Sequence, residues 1–486
     1  MKIRIVTTSA CSLALGTLLL AGCGGSNMSN PNPNPSQNPS GPFMAKSQWT
    51  WVGGSYSGAV NEPGYYGTMG TAAAINTPGA RRAAASWTDS SGNFWLFGGI
   101  GFDANGNFGL LDDLWEFSPS TKMWTWVGGT DTVPAYNTLK ATAPSGNMPS
   151  ARYAATTWTD KNGNLWLFGG DNGSVPNSYV SNPYFMNDLW EFNPNTQVWT
   201  MVSGSSSINA AGVYGTQGIA AAGNAPGARE AAAGAIDASG NLWLFGGFGY
   251  STATSVTNGT PNIFQDLWMF NPSTKEWTWM SGSPTSVAPT YGTQGVAAAS
   301  NVPGARANAT LWTDASGNVW LWGGSGAASS ASEGNLSDLW QFDPQTMQWT
   351  WIGGPNTVNA AGVYGTLSTP AATNIPGART AAVSWTDASG NLWLFGGEGM
   401  DTSGNTEHFS DLWYLNLATK TWTWIAGSNT ENNLGNYGNI GIAAASNLPS
   451  GRDEASGWMD ANGNLWLFGG DNGPQDSLND LWVYQP

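Results

Sequence analysis

The chain has 486 residues, with 31 acidic and 15 basic side chains and a formal net charge of −16 at pH 7. Charged residues make up only 9% of it, against roughly 25% in an average soluble domain, whereas it has 66 glycines and 29 tryptophans. The negative charge argues against nucleic-acid binding, the tryptophans against disorder, and the glycines against a helical bundle. The composition therefore predicts an all-β, turn-rich protein.

Residues 1–22 have the features of an export signal. Lys2 and Arg4 give a positive start, and the apolar stretch 10–20 follows. This stretch is too short for a transmembrane helix, which needs about 20 apolar residues.

The signal ends in Leu-Ala-Gly followed by Cys23, which resembles the lipobox of bacterial lipoproteins. The resemblance implies cleavage before Cys23, lipidation of its sulfur and an anchor in the lipid bilayer of a bacterial envelope. In some bacteria an Asp directly after the lipidated cysteine retains a lipoprotein in the inner membrane. Residue 24 is Gly, which favours an outer-membrane location. The alternative is an ordinary export signal with an incidental cysteine.

Residues 23–46 are predicted to be the lipidated cysteine and a tether. The segment is rich in Asn, Pro and Ser and has almost no large apolar groups, so it cannot bury enough surface to fold. The two cysteines of the chain are Cys11 and Cys23. The region beyond the tether therefore has neither a disulfide nor a thiolate nucleophile.

From residue 47 to residue 486 the chain repeats a unit of four short apolar segments. In the first unit these are 80–89, 94–99, 113–117 and 124–129, bounded by Gly, Asn and Pro, and they read as strands. One arginine in each unit marks the period, at intervals of 71, 77, 77, 73 and 73 residues. Four strands at a fixed period predict the blades of a β-propeller.

A double glycine ends the second strand of every unit, and a tryptophan follows at a fixed place in the fourth strand. This pattern resembles the kelch repeat of galactose-oxidase-like propellers. The resemblance implies an all-β, six-bladed kelch-type propeller with four strands per blade. Kelch units have about 50 residues, and most of the excess here lies between the fourth strand and the next first strand.

The last unit lacks a fourth strand, and an orphan fourth strand stands at residues 47–54. Placing this segment in blade six, as its outer strand, would close the ring and remove the exposed sheet edges. All tryptophans fall at strand positions, which favours a packing role over sugar stacking.

Loop lengths predict which face binds a ligand. The turns after the first and third strands are constant in length, whereas the second-to-third connections vary in length and the fourth-to-first connections vary in sequence. Because strands alternate in direction, both variable sets lie on one face, which we call the variable face. Such loops are where binding sites are usually built, although neutral variation is the alternative.

One arginine of each unit is a candidate binding residue. A ring of guanidinium groups at the variable face would bind carboxylate or sulfate, and in some kelch domains such arginines contact acidic peptides. The alternative is structural pairing between blades with six recurring aspartates. The arginines are Arg81, Arg152, Arg229, Arg306, Arg379 and Arg452, and the aspartates are Asp113, Asp188, Asp266, Asp338, Asp411 and Asp480.

Catalytic motifs are scarce. The copper chemistry of galactose oxidase is excluded, because the region beyond the tether has no cysteine and only one histidine, His408. His408 is interpreted as a solvated loop residue and residues 103–107 as a turn. No metal site or cofactor is predicted, and calcium binding by the Asp- and Asn-rich loops is an unspecific alternative.

The prediction is a monomeric, envelope-anchored binding module that recognises a glycan or an acidic group of another envelope component. Glu230 and Glu454 lie next to the repeat arginines. They support an alternative, a metal-free enzyme acting on sugars such as a sialic-acid-type mutarotase.

Overall fold

A computed structural model describes residues 47–56, 59–133, 148–173, 184–252, 259–285, 287–328, 332–400, 406–429, 433–473 and 476–486. The predicted export signal, Cys23 and the predicted tether lie outside these residues. In the described part of the chain, no helix has the length and apolar character needed to cross a lipid bilayer.

Each repeat forms a four-stranded antiparallel sheet, or blade, and four blades carry a further three-stranded sheet on the variable face. The described strands are, in chain order, β1 (Gln48–Gly53); in blade one β2 (Arg81–Arg82), β3 (Ala85–Thr88), β4 (Phe94–Phe97), β5 (Ile100–Phe102), β6 (Phe108–Leu110), β7 (Leu114–Ser118) and β8 (Met123–Gly128); in blade two β9 (Thr156–Thr159), β10 (Leu165–Phe168), β11 (Leu189–Asn193) and β12 (Val198–Ser203); in blade three β13 (Arg229–Glu230), β14 (Ala233–Ile236), β15 (Leu242–Phe245), β16 (Phe248–Gly249), β17 (Asn262–Ile263), β18 (Leu267–Asn271) and β19 (Glu276–Ser281); in blade four β20 (Arg306–Ala307), β21 (Thr310–Thr313), β22 (Val319–Trp322), β23 (Ser325–Ala327), β24 (Glu333–Asn335), β25 (Leu339–Asp343) and β26 (Gln348–Gly353); in blade five β27 (Arg379–Thr380), β28 (Val383–Thr386), β29 (Leu392–Phe395), β30 (Glu398–Met400), β31 (Thr406–His408), β32 (Leu412–Asn416) and β33 (Thr421–Ala426); and in blade six β34 (Ser456–Met459), β35 (Leu465–Phe468) and β36 (Leu481–Gln485).

The predicted closure of the ring is confirmed. Strand β1 pairs antiparallel with β36, with Trp51 opposite Trp482, so the order in blade six is β34, β35, β36, β1. Trp49 of β1 also packs edge-on against Phe395 of blade five, with 5.3 Å between ring centroids. The fold is therefore an all-β propeller of six complete blades.

A ring of six backbone hydrogen bonds surrounds the propeller axis, where the first strands of neighbouring blades meet. In each blade the residue two places after the repeat arginine donates its N–H to the carbonyl of the equivalent residue in the preceding blade, at 2.8–3.1 Å. All six have φ between 50° and 55°, a left-handed conformation that costs a non-glycine residue energy. The ring residues are Ala83, Ala154, Ala231, Asn308, Ala381 and Glu454.

The double glycines allow the blades to approach closely. The first glycine of each pair has a φ of 63–68°, and a Cβ there would lie 2.3–3.3 Å from the carbonyl oxygen of the next blade's repeat arginine. The second glycine donates its N–H to that same carbonyl at 2.8–3.0 Å. Glycine is needed here because of this contact as well as the backbone conformation.

Tryptophans fill the spaces between blades, as predicted. All 29 lie among the described residues, and none is exposed. Several first-strand indoles donate to a carbonyl of the next blade, for example Trp87 to Trp166 at 2.8 Å. Burial of these rings, at about 25 cal/mol per Å² of apolar surface, is a large stabilising contribution.

The long fourth-to-first connections cover the outer edges of the blades. In the segment before blade one, Gly70 donates its N–H to Trp126 of β8 at 2.8 Å, and Ala73 forms a β-bridge with Trp124. Equivalent bridges reach β19, β26, β33 and β1. In blades one, three, four, five and six, the described residues of these connections thus protect an edge strand that would otherwise be open to association.

Candidate functional site

The repeat arginines are buried, with side-chain exposures of 0–1%. Each guanidinium binds one of the recurring aspartates with two parallel hydrogen bonds, Nη1 to Oδ1 at 2.5–2.7 Å and Nη2 to Oδ2 at 2.7–2.9 Å. This fork geometry is the strongest form of an ion pair between side chains.

The remaining polar groups of each pair are also satisfied. In blade four, Nη1 of Arg306 donates to the carbonyl of Gly323 at 3.0 Å, and Nε donates to that of Gly304 at 3.1 Å. Asp338 also accepts the indole N–H of Trp340 at 2.7 Å and the hydroxyl of Tyr291 at 2.8 Å. Such a saturated unit is a structural element, because a buried ion pair is tolerated only when all its partners are in place.

These contacts correct the interpretation of the arginines as ligand-binding residues. Arg81, Arg152, Arg229, Arg306, Arg379 and Arg452 present no free guanidinium at the variable face. The pairs also lie within a blade rather than between blades, because each arginine and its aspartate belong to the same repeat. Neighbouring blades are joined instead by the arginine backbone, through its N–H and its carbonyl.

Residues next to these arginines form a different site around the axis. Each member directly follows a repeat arginine, directly follows a double glycine, lies on the strand that pairs with the residues after a double glycine, or belongs to the axial ring of backbone hydrogen bonds. The residue types at these positions differ from blade to blade. We call this group the axial cluster. Its members are Arg82, Tyr153, Asp171, Glu230, Glu398, His408, Asp453, Glu454 and Asp471.

Arg82 joins blades one and six within the axial cluster. Its guanidinium Nη1 binds Asp471, and its Nε lies 3.4 Å from Oε2 of Glu454. The Arg82 side chain is 14% exposed, in contrast to the repeat arginines. It is the one arginine in a group with six carboxyl groups, so the cluster is strongly acidic.

Glu230, in blade three, is a buried acid on the side of the axial cluster opposite to Arg82. The residue is 8% exposed, and its Oε2 has no hydrogen-bond partner. Burial, together with Asp171 and Glu454, raises the pKa of Glu230 well above its ordinary value, although a hydrogen bond from Tyr153 opposes the shift. The same burial and Glu230 raise the pKa of Tyr153. The site therefore holds a carboxyl group that favours its neutral form.

His408 lies in the same cluster, and its interpretation as a solvated loop residue is wrong. It is on strand β31, opposite Glu398 of β30, and its Nε2 is 3.7 Å from Oδ1 of Asp453. Burial and the nearby Arg82 lower the pKa of His408 to about 4. Burial and Glu454 raise the pKa of Glu398 to about 7.

Sequence reasoning found two members of the axial cluster, Glu230 and Glu454, and missed most of the others. The signal was present, because charged residues follow a repeat arginine or a double glycine in some units and apolar residues do so in others. At 103–107 the interpretation as a turn is confirmed. The Asp103 side chain accepts the N–H groups of Asn105 and Asn107 at 2.8 Å and that of Val133 at 2.9 Å.

The fold and the site together define the class of the protein, a closed six-bladed β-propeller with an acidic cluster at its axis. No protein-family model matches the chain.

Proposed function

We propose that the protein is an envelope-anchored binding module that recognises a glycan at its axial cluster. The observation that carries this proposal is that Oε2 of Glu230 is buried and has no hydrogen-bond partner. A buried acceptor without a partner is costly and rare in a stable fold, and a ligand hydroxyl would supply the missing donor. The resemblance to kelch-type propellers, whose ligands bind at loop faces, supports the same location.

The charge of the axial cluster favours a neutral glycan over an acidic ligand. The cluster contains six carboxyl groups and a single guanidinium, and that guanidinium is already paired with Asp471 and Glu454. An anion would be repelled, whereas sugar hydroxyls can donate to carboxylate oxygens. The acidic ligand expected from the repeat arginines therefore has no counterpart at this site.

A second candidate function is acid–base catalysis on a sugar without a metal. Two observations favour it: the hydrogen-bonded pair of Glu230 and Tyr153, and Glu398 elsewhere in the axial cluster, whose pKa of about 7 suits proton transfer near neutral pH. This candidate requires turnover, such as anomer exchange followed by NMR, that disappears in Glu230→Gln. Binding without turnover would decide for the binding module.

The binding test uses Glu230→Gln and an array of neutral and acidic glycans. We expect the parent protein to capture neutral glycans and the variant to bind them about tenfold more weakly, a loss of about 1.4 kcal/mol. Glu333→Gln is the matched control, since Glu333 is exposed on β24 of blade four. Absence of glycan capture, or equal capture by all three proteins, would refute the proposal.

Thermal stability shows whether Glu230→Gln still folds, and its pH dependence has a defined sign. Because burial raises the folded-state pKa of Glu230 above the ordinary 4.5, ionisation destabilises the fold as pH rises above that value. The variant should therefore be about 1–3 kcal/mol more stable than the parent at pH 7, and the gain should vanish near pH 4. Melting curves at both pH values measure the difference.

The envelope anchor is part of the proposal and rests on the lipobox resemblance at Cys23. Metabolic labelling with an alkyne fatty acid in a bacterial host should label the protein, and Cys23→Ser should abolish the label. Cys11→Ser is the matched control and should leave labelling unchanged, because Cys11 lies inside the predicted signal. Equal labelling of Cys23→Ser and the parent would rule out this anchor.

A further inference from the structure

We propose that Glu398, His408 and Asp453 bind a divalent transition-metal ion, with Zn²⁺ as the best fit. The three residues lie on separate segments, β30, β31 and the segment that leads into β34. One potential ligand atom from each lies within 4.8 Å of the other two. The three residues are part of the axial cluster, and binding of the ion does not depend on glycan binding there.

The distances fit a first-row ion after a small adjustment of side chains. Zn²⁺ is bound by nitrogen and oxygen ligands at about 2.0–2.2 Å, which places tetrahedral ligand atoms about 3.3–3.6 Å apart. Nε2 of His408 and Oδ1 of Asp453 are already 3.7 Å apart. This distance is too long for a hydrogen bond and close to the separation of two metal ligands.

Asp453 provides an independent indication of a bound cation. The residue is 8% exposed, and its Oδ1 is buried without a hydrogen-bond partner. This same atom faces the imidazole of His408. A buried carboxylate oxygen is costly unless a cation or a donor satisfies it, and the histidine is too distant to do so.

The charges around the three residues also favour the binding of a divalent cation. Glu454 and Asp471 lie beside the three proposed ligands, so four carboxyl groups and the imidazole share the single guanidinium of Arg82. That guanidinium binds Asp471 and Glu454. Glu398 and Asp453 are left without a cationic partner of their own, and a divalent ion would supply one.

The donor set indicates which ion fits. One imidazole and two carboxylates suit Zn²⁺ or Mn²⁺, whereas Ca²⁺ takes six to eight oxygen ligands and Mg²⁺ keeps several waters. Three protein ligands also leave a coordination position open, as in zinc sites that bind an exchangeable ligand. A water molecule or a ligand oxygen would occupy this open coordination position, at the end of the propeller axis.

The test is calorimetric titration of the untagged, EDTA-treated full chain with Zn²⁺. His408 is the only histidine, so an affinity tag would add competing ligands, and Cys11→Ser with Cys23→Ser removes the only thiols. We expect one Zn²⁺ per chain, bound at least tenfold more tightly than Ca²⁺ or Mg²⁺. Co²⁺ should give intense visible d–d absorption bands, which report a site of low coordination number.

Two variants and one control locate the ion. His408→Asn introduces the residue that blade four has at the same register position, Asn335, and Glu398→Gln removes a second ligand. Both should weaken Zn²⁺ binding at least tenfold, with circular dichroism confirming the fold, and Glu333→Gln should not weaken it. If His408→Asn fails to fold, Glu398→Gln alone decides. Absence of binding by the parent, or an equal affinity for all proteins, would overturn the proposal.

Discussion

Replacing Arg306 by Met is expected to destabilise the propeller by about 3–5 kcal/mol, because it leaves the carboxylate of Asp338 buried without its cation. Both side chains have 0% exposure. Tyr291 and Trp340 would still donate to the carboxylate, but they carry no charge. Equilibrium unfolding in guanidinium chloride measures the loss.

A double variant is the control for this prediction. Arg306→Met combined with Asp338→Asn removes both charges, and we expect it to recover part of the lost free energy of unfolding. Normal stability of Arg306→Met combined with weaker ligand binding would contradict the structural role. It would instead return the repeat arginines to the ligand site.

Trp49→Ala is expected to cost about 3–5 kcal/mol, the usual penalty for emptying a large buried aromatic site. Trp49 is 2% exposed and packs against Phe395, Trp482 and Tyr484. It thus joins the N-terminal strand both to blade five and to the C-terminal strand. Chemical denaturation again provides the measurement.

The matched control for Trp49→Ala is Trp124→Ala. Trp124 has the equivalent position in β8 and is also buried, at 5% exposure. The same cavity in blade one leaves the contact between the two chain ends intact. We expect both variants to lose stability, but only Trp49→Ala should make the N-terminal segment sensitive to protease. Equal resistance of that segment in both variants would contradict a role for Trp49 in closure.

The repeating parts of the fold could be predicted from the sequence because the residues that form them recur in every unit. Double glycines, tryptophans and the arginine–aspartate pairs recur six times in register, so a single reading of one unit applies to all. Even the closure was predictable, since unit six lacks the strand that residues 47–54 provide. These are properties of local pattern and simple counting.

The direction of the arginine side chains could not be read from their spacing. Successive residues of a strand point to opposite faces, so Arg81 reaches into its own blade while Arg82 reaches Asp471 and Glu454 of blade six. A ring of equal residues suggested a ring-shaped site. In the structure the repeat arginines stabilise the blades, and the residues that differ from blade to blade lie at the axis.

The axial cluster was missed because its members share no periodicity. Glu230, Glu398 and Glu454 belong to three different blades and meet only after the ring closes. The sequence predicts a loop at His408 because Gly, Asn and Ser precede it, and these are turn residues. Its strand has only three residues, and its pairing with Glu398 depends on the register of that short hairpin.

Amide hydrogen exchange in β1 is the most direct test of the central claim, that the two ends of the chain close a six-bladed ring and so assemble the axial cluster. The β-ladder partner of β1 is β36, the last strand of the chain. The closed ring predicts that the amides of residues 48–53 exchange as slowly as those of β8 and β26, the fourth strands of complete blades. Exchange of residues 48–53 at the rate of an unstructured peptide would contradict closure, and with it the site at the axis.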